Sequence, residues 1–480
     1  MGPRVSGAPI PRRTVVGYAL GSVGTGGFGT LPGLVLAYYL TDTLGVAAGL
    51  ASLAVTLPKV WDVVIDPFVG ARSDASAARR GSRRPFLLAG ALMLPPLFAA
   101  VFAAPAALQE AAAAVWVVVT FVAAATAFSL FQVPYIALPA EIAPDYASRT
   151  RLLAPRIAVL AVAILAFGAG GPLVRDAAGG GRTGYAVMGV VSGLVIGLGM
   201  LAAWWGAPRR AVAAGTHAAP VAVVSRADEA ALLDGLPAAP MPGRRGDALR
   251  AGLAALRELP PFRALLATFV LQALATGAML GSAQYVATYT LGDEAAVTYL
   301  FVALVAPALL VMPLATRLAH RIGKRRALVG SSALFACAAL ALLPAREAAG
   351  PWVYGPVALA GVAYAGMQLY PLAMLPDVAV VDAREHGVDR AGVLGGVWTA
   401  GETAGLALGP TLVLALLALT GFVSSTGDAT AAQPDSALTG IVVAFSLLPA
   451  VLVGLSLLPL SRYRLDADVV DAPEPPEATS

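Results

Sequence analysis

This 480-residue chain has one cysteine, three histidines and only two lysines, Lys59 and Lys324. Cys337 sits alone in an apolar run, which excludes a disulfide and any paired-cysteine zinc or redox site. Three histidines cannot build an imidazole-rich metal centre. Charge is scarce as well: 12% of residues are charged and 58% hydrophobic, where soluble domains carry roughly 25% charged residues. Length alone would suggest two to four soluble domains. A mean hydropathy of +0.77 excludes that and makes the bilayer the main solvent. The net charge of +4 and pI near 9.3 come with no aromatic–basic face, so no nucleic-acid partner is expected. Arginine makes up the other 30 of the 32 basic residues, and with so much Ala, Gly and Pro this reads as codon usage in a GC-rich bacterial genome. The segment GTGGFG, Gly24 to Gly29, follows no strand and has no Walker Lys-Ser/Thr behind it. Primary ATP-driven transport is therefore not expected, and no acid–base or nucleophile constellation marks an enzyme. No cofactor is expected.

Long apolar runs dominate instead. Twelve of them, from 14–40 and 46–71 through to 391–420 and 437–460, are charge-poor and able to cross ~30 Å. In lipid each must be a helix, because every backbone group needs an internal partner. The first is too long, at 27 uncharged residues, for a cleaved signal peptide. The fold class expected is an all-α membrane protein, with twelve transmembrane helices in two six-helix bundles. An even number of crossings puts both ends on one side. Of the basic residues outside the spans, 28 fall on the face shared with the termini and three, Arg175, Arg182 and Arg346, on the other. The positive-inside rule then makes both termini cytoplasmic. The expected division is 1–206 for an N-terminal bundle, 207–260 for a Pro/Ala/Arg-rich cytoplasmic linker, 261–465 for a C-terminal bundle and 466–480 for a disordered tail. A short amphipathic helix is expected near Asp247 to Glu258. Basic turns after the second and eighth spans, RSDASAARRGSRRP and TRLAHRIGKRR, mark an internal repeat.

Ionisable groups inside spans cost several kcal/mol each and need a reason. Lys59, Asp62 and Asp66 fall within an arc of about 60° on one helix. Two carboxylates there form a cation site, for Na⁺ or H⁺, or else an interhelical salt-bridge cluster. Glu402 could pair with Lys59 or Arg156 or line a pathway. Arg156, at the start of the fifth span, could snorkel to the headgroups. Asp377, Asp382 and Glu141 end spans, where loop salt bridges are the better reading.

The elements YYLTD and WDVVIDP, the basic turn ending RRP, and the stretches around spans four to five and ten to eleven resemble the melibiose-permease-like symporters. These form the glycoside–pentoside–hexuronide:cation symporter family of the major facilitator superfamily. The resemblance runs from the first span to the eleventh. It implies a sugar–cation symporter working by alternating access, with Asp62, Asp66 and the hydroxyl of Ser129 at the cation site and Lys59 beside them. It also places the sugar-contacting arginine of the family on Arg156. The sequence departs from the family pattern at Gly26 and Thr25, where an acidic and a basic residue are expected, and at Gln132, Ile136 and Thr403. The sugar-gripping carboxylates are thus missing, and a less hydroxylated substrate becomes plausible.

Two readings follow. One is a cation-coupled importer of a sugar or related small solute. The other is an exporter or amphipathic-lipid or drug carrier on the same scaffold, with Gly26 and Ile136 forming its apolar pocket. Both place Gly26, Gln132 and Arg156 on a central cavity near mid-bilayer, with Glu402 and Thr403 as charge partners. A monomer in a bacterial plasma (inner) membrane is expected, with the bilayer and a small-molecule substrate as partners. Loss of the span-eleven lysine tilts the coupling ion towards H⁺.

Overall fold

A computed structural model describes residues 10–142, 146–208, 254–386, 391–425, 431–463 and 465. The linker therefore lies largely outside the described residues, as does the 466–480 tail; of the helix expected near 247–258, only 254–258 is described, and it is helical. Among the described residues, twelve spans are long and apolar enough to cross a membrane. They are α1 (Arg12–Tyr38), α2 (Ala48–Arg80), α3 (Arg84–Val101), α4 (Glu110–Ile142), α5 (Tyr146–Ala177), α6 (Gly181–Gly206), α7 (Pro260–Tyr285), α8 (Ala296–Ile322), α9 (Lys324–Leu340), α10 (Tyr354–His386), α11 (Ala391–Leu419) and a twelfth made of α12 (Asp435–Phe445) and α13 (Leu447–Ser461).

Local chemistry sets many of these ends. Pro85 opens α3, and Pro260 and Pro261 open α7, where a missing N–H costs nothing. The α2 helix stops at Gly81, whose φ of 66° suits a residue without a Cβ. The basic stretch after residue 71, expected as a turn, is helical as far as Arg80. At 1.5 Å per residue the 33 residues of α2 span about 50 Å, so its arginine-rich end continues into water, where charge costs little. The twelfth run, expected as one helix, breaks at Ser446, whose hydroxyl donates to the carbonyl of Val442.

The helices form two halves with the same internal pairings. In the first, α1 packs on α5 and α6, α3 on α4 and α6, and α2 on α4; in the second, α7 packs on α11 and α13, α9 on α10 and α13, and α8 on α10. The interface repeats the symmetry, with α2 on α11, α5 on α8, and α1 on α7. This is the arrangement of parallel repeats related by an axis along the membrane normal. Small residues allow the tightest crossings. A Cβ on Gly409 of α11 would run into the backbone of Gly277 in α7, and one on Gly26 of α1 would sit 2.8 Å from the Cβ of Ala163 in α5. Both α1 and α7 end in a π-helical turn, Tyr39–Thr43 and Val286–Thr290.

Candidate functional site

The middle of α2 carries the charged stripe that the sequence singled out. Asp62 Oδ2 lies 3.7 Å from Lys59 Nζ, one turn back along the helix. The ammonium also sits over two rings, Phe28 of α1 and Phe121 of α4, each 5.5 Å from ring centre to nitrogen. Phe28 is itself stacked on Phe128 of α4 at 4.3 Å. An aromatic box therefore holds the cation from one side while Asp62 pairs with it from the other, a geometry that makes a partly dehydrated ammonium tolerable.

Asp66 lies one turn further along. Ser129 of α4 places its hydroxyl against this carboxylate, so the residue implied by the resemblance is brought to the stripe by the α2–α4 packing. One oxygen of each carboxylate, Asp62 Oδ1 and Asp66 Oδ1, is buried with no hydrogen-bond partner. Buried polar atoms are nearly always satisfied, and two bare carboxylate oxygens a turn apart are the donor set a hard monovalent cation or a proton would complete. No cluster of three His, Cys, Asp or Glu side chains occurs among the described residues, which disfavours a transition-metal centre there.

A second cluster lies between α1, α4 and α5. The Arg156 guanidinium does not reach for the headgroups; it stacks at 5.4 Å over Tyr135 and 5.8 Å over Tyr18. Tyr135 donates to the backbone carbonyl of Tyr18 and shares a hydrogen bond with Ser22. Arg156 Nε and the Tyr18 hydroxyl are buried without partners. Nearby, the Thr25 hydroxyl donates to Gln132 Oε1 at 2.8 Å, so the two departures from the family pattern compensate each other as a neutral pair. With its carbonyl occupied, Gln132 has its amide N–H groups left to offer.

Three expectations need correction. Gly26 is no pocket wall: it is buried where α1 meets α5, and a side chain there would strike Ala163. Glu402 forms no ion pair with Lys59 or Arg156 among the described residues, because Lys59 is taken by Asp62 and Arg156 by the tyrosines. Arg156 points into the bundle because the tyrosine faces offer a dry seat for a planar cation. Ile136 and Thr403 are exposed, without a polar contact among the described residues. The expected span-end pairing does form at Asp377, which Lys324 at the start of α9 meets at 2.7 Å. Asp382 is buried, and the side chain of Glu141 lies outside the described residues. Sequence reasoning missed the Phe28–Phe121 box and the Tyr18–Tyr135 seat. Aromatic residues within apolar helices look the same whether they face lipid, core or a cation.

Two bundles with repeated pairings and a charged stripe at mid-helix define a multi-pass membrane protein of the major facilitator superfamily fold. Solved structures with this fold agree over nearly the whole chain. A bacterial homologue of the human lysosomal transporter Spinster, in an inward-facing and unoccupied conformation, matches with a TM-score of 0.63 at 14% identity, covering 95% of this chain and 97% of that one. A D-xylose–proton symporter matches with a TM-score of 0.63 at 11% identity, covering 95% and 98%. By sequence, residues 17–223 and 241–467 match the family described as MFS/sugar transport protein, and the chain belongs to that family. Its relatives and structural neighbours are transporters, not enzymes. A putative glycoside/cation symporter of Escherichia coli is 30% identical over 32% of this chain and 33% of its own length. A glucuronide carrier protein homologue of Escherichia coli is 33% identical over 30% of this chain and 32% of its own. The chain thus spans about a third of the length of these relatives, while an uncharacterised symporter of Bacillus subtilis matches over 94% of this chain and 91% of its own at 23% identity.

Proposed function

We propose that this protein is a secondary active transporter, a symporter that couples a sugar, glycoside or related small solute to one monovalent cation by alternating access of its two bundles. The observation that carries the reading is the stripe on α2. Lys59, Asp62 and Asp66 sum to one net negative charge when all are ionised, and both carboxylates keep a bare buried oxygen. One Na⁺ or one H⁺ brings this strip of low-dielectric interior to neutrality, which a purely structural ion pair would not require. Asp62, Asp66 and Ser129 would hold the cation, and Lys59 would set its affinity from the aromatic box. The names of the relatives, a glycoside/cation symporter and a glucuronide carrier homologue, support the same class of cargo.

Substrate binding falls to Arg156, Gln132, Tyr18 and the Thr25–Gln132 pair. The Arg156 Nε–H, the Gln132 amide N–H groups and the Tyr18 hydroxyl can all donate, so the solute presents acceptors to them. The halves correspond to 1–206 and 261–465, with the 207–260 linker and both termini on the cytoplasmic side of a bacterial inner membrane. The face bearing Arg175, Arg182 and Arg346 is then the outer one, in keeping with the basic asymmetry.

Uptake into proteoliposomes tests the reading. A panel of glycosides and sugar acids is offered with an inward Na⁺ gradient, an inward H⁺ gradient, or neither. Gradient-dependent accumulation of at least one solute is the expected result, and the effective gradient names the ion. Efflux of amphipathic dyes with no gradient-dependent sugar uptake would favour the exporter reading instead.

A further inference from the structure

At the outer ends of the two halves, away from the α2 stripe, lies a polar cluster that the symport reading does not use. From the first half come Tyr38, Thr41 and Asp42, at the end of α1 and in its π-helical turn, and Arg175 at the end of α5. From the second come Gln284, Tyr285 and Tyr289 around the π-helical turn of α7, Glu294 before α8, and Ser425. Arg175 is 0% exposed and Asp42 5%, so two charges are sealed inside this interface.

The bonds cross between the halves. Thr41 and Tyr285 share a hydrogen bond of 2.7 Å, and the Tyr289 hydroxyl donates to Asp42. Tyr38 donates to Glu294 at 3.1 Å, and the Ser425 amide donates to the carbonyl of Thr41 at 2.9 Å. Arg175 donates to Gln284 Oε1 at 2.9 Å and lies 3.9 Å from a Glu294 carboxylate oxygen. Each buried charge also has a partner in its own half. Arg175 pairs with Asp176 at 2.7 Å and with the Tyr185 hydroxyl at 3.2 Å, and Asp42 accepts from Thr41 at 2.5 Å.

That double partnering is what a reversible closure needs. Breaking a buried pair is expensive when it strands a bare charge. Here separation removes Gln284, Glu294 and Tyr289, yet leaves Arg175 on Asp176 and Asp42 on Thr41 while water enters. Thr41, Asp42 and Tyr289 sit on π-helical turns at equivalent places in the repeat, with Tyr38, Gln284 and Tyr285 in the helical turn just before them, and π-helical turns are frequent where helices carry function.

We propose that this cluster is the outer gate of the transporter: the Thr41–Asp42 turn of α1 latches onto Tyr285 and Tyr289 of α7, and Arg175 locks onto Gln284 and Glu294. Its release opens the pathway outward. The inference rests on the alternating-access reading, and the test separates the two.

Spin labels are placed on the outer loops at Ala107→Cys and Ala349→Cys, and in a second protein on the basic face at Arg80→Cys and Arg321→Cys, both in a Cys337→Ala background. Distances are measured by double electron–electron resonance for the parent and for Tyr285→Phe, Tyr289→Phe and Glu294→Gln, which keep side-chain bulk; the first two remove a crossing hydrogen bond and the third removes the negative charge that faces Arg175. Losing one such bond is expected to raise the population with a longer outer distance roughly five-fold or more, and pairs of substitutions more than single ones. If the outer distances stay unchanged in all three variants and their pairs, the gate assignment is overturned. If the outer pair lengthens while the inner pair does not shorten, the gate stands and alternating access falls. Lengthening of one with shortening of the other supports both.

Discussion

Asp66→Asn tests the coupling role of the stripe most directly. The substitution keeps the shape of the side chain and its place opposite Ser129, but removes the charge that gives the Lys59–Asp62–Asp66 group its net −1. What remains is an ion pair 3.7 Å apart and already neutral, with no electrostatic call for a further cation. One cation moving inward down 100 mV releases about 2.3 kcal/mol. At 1.36 kcal/mol per tenfold ratio, that sustains a solute accumulation of about 50-fold in the parent protein. The variant should lose this accumulation and reach a ratio of about 1, while still exchanging internal for external solute because Arg156 and Gln132 are untouched. The assay is uptake into proteoliposomes under a potassium diffusion potential, with counterflow measured in the same preparation. Should Asp66→Asn still concentrate its solute tens of fold, the carboxylate would be structural and the coupling argument would be refuted. Asp62→Asn is the companion: it leaves Lys59 to neutralise Asp66, so it too should exchange without concentrating.

Three further outcomes follow from the geometry. Gly26→Trp should lower the thermal midpoint in detergent sharply, because even a Cβ would lie 2.8 Å from that of Ala163 and overpacking typically costs 1–3 kcal/mol; an unshifted midpoint with transport blocked would return Gly26 to the pathway. Arg156→Lys keeps the charge but loses the planar stack on Tyr18 and Tyr135, so KM should rise about tenfold or more with kcat less affected, and unchanged uptake kinetics would remove Arg156 from the substrate site. A protease outside right-side-out cells should leave the 207–260 linker intact and cut it in inverted vesicles, and cleavage from outside would reverse the topology.

Much of the architecture was legible in the sequence because it depends on local quantities. The length of each apolar run decides whether a helix can span, and the order of the crossings decides which loops share a face. Periodicity along one helix was enough to align Lys59, Asp62 and Asp66. The twelve spans and their repeat could therefore be read before any packing was known, with errors only where helices outlast the bilayer, as α2 does, or break within it, as at Ser446.

Tertiary packing decided what each charge meets. Glu402 offered a carboxylate for Lys59 or Arg156 on charge alone, yet Lys59 settled between Asp62 and two phenyl rings and Arg156 between two tyrosines. The Thr25–Gln132 bond joins residues 107 positions apart, and Tyr38 reaches Glu294 across 256. Nothing in hydropathy distinguishes Gly26, pressed against α5, from Gly29, which has open space where a Cβ would be. The sequence by itself determined which segments enter the membrane, because transfer into lipid is summed residue by residue along a helix. Only the tertiary structure decided the partners, because contact between helices depends on shape and distance, which sequence separation does not encode.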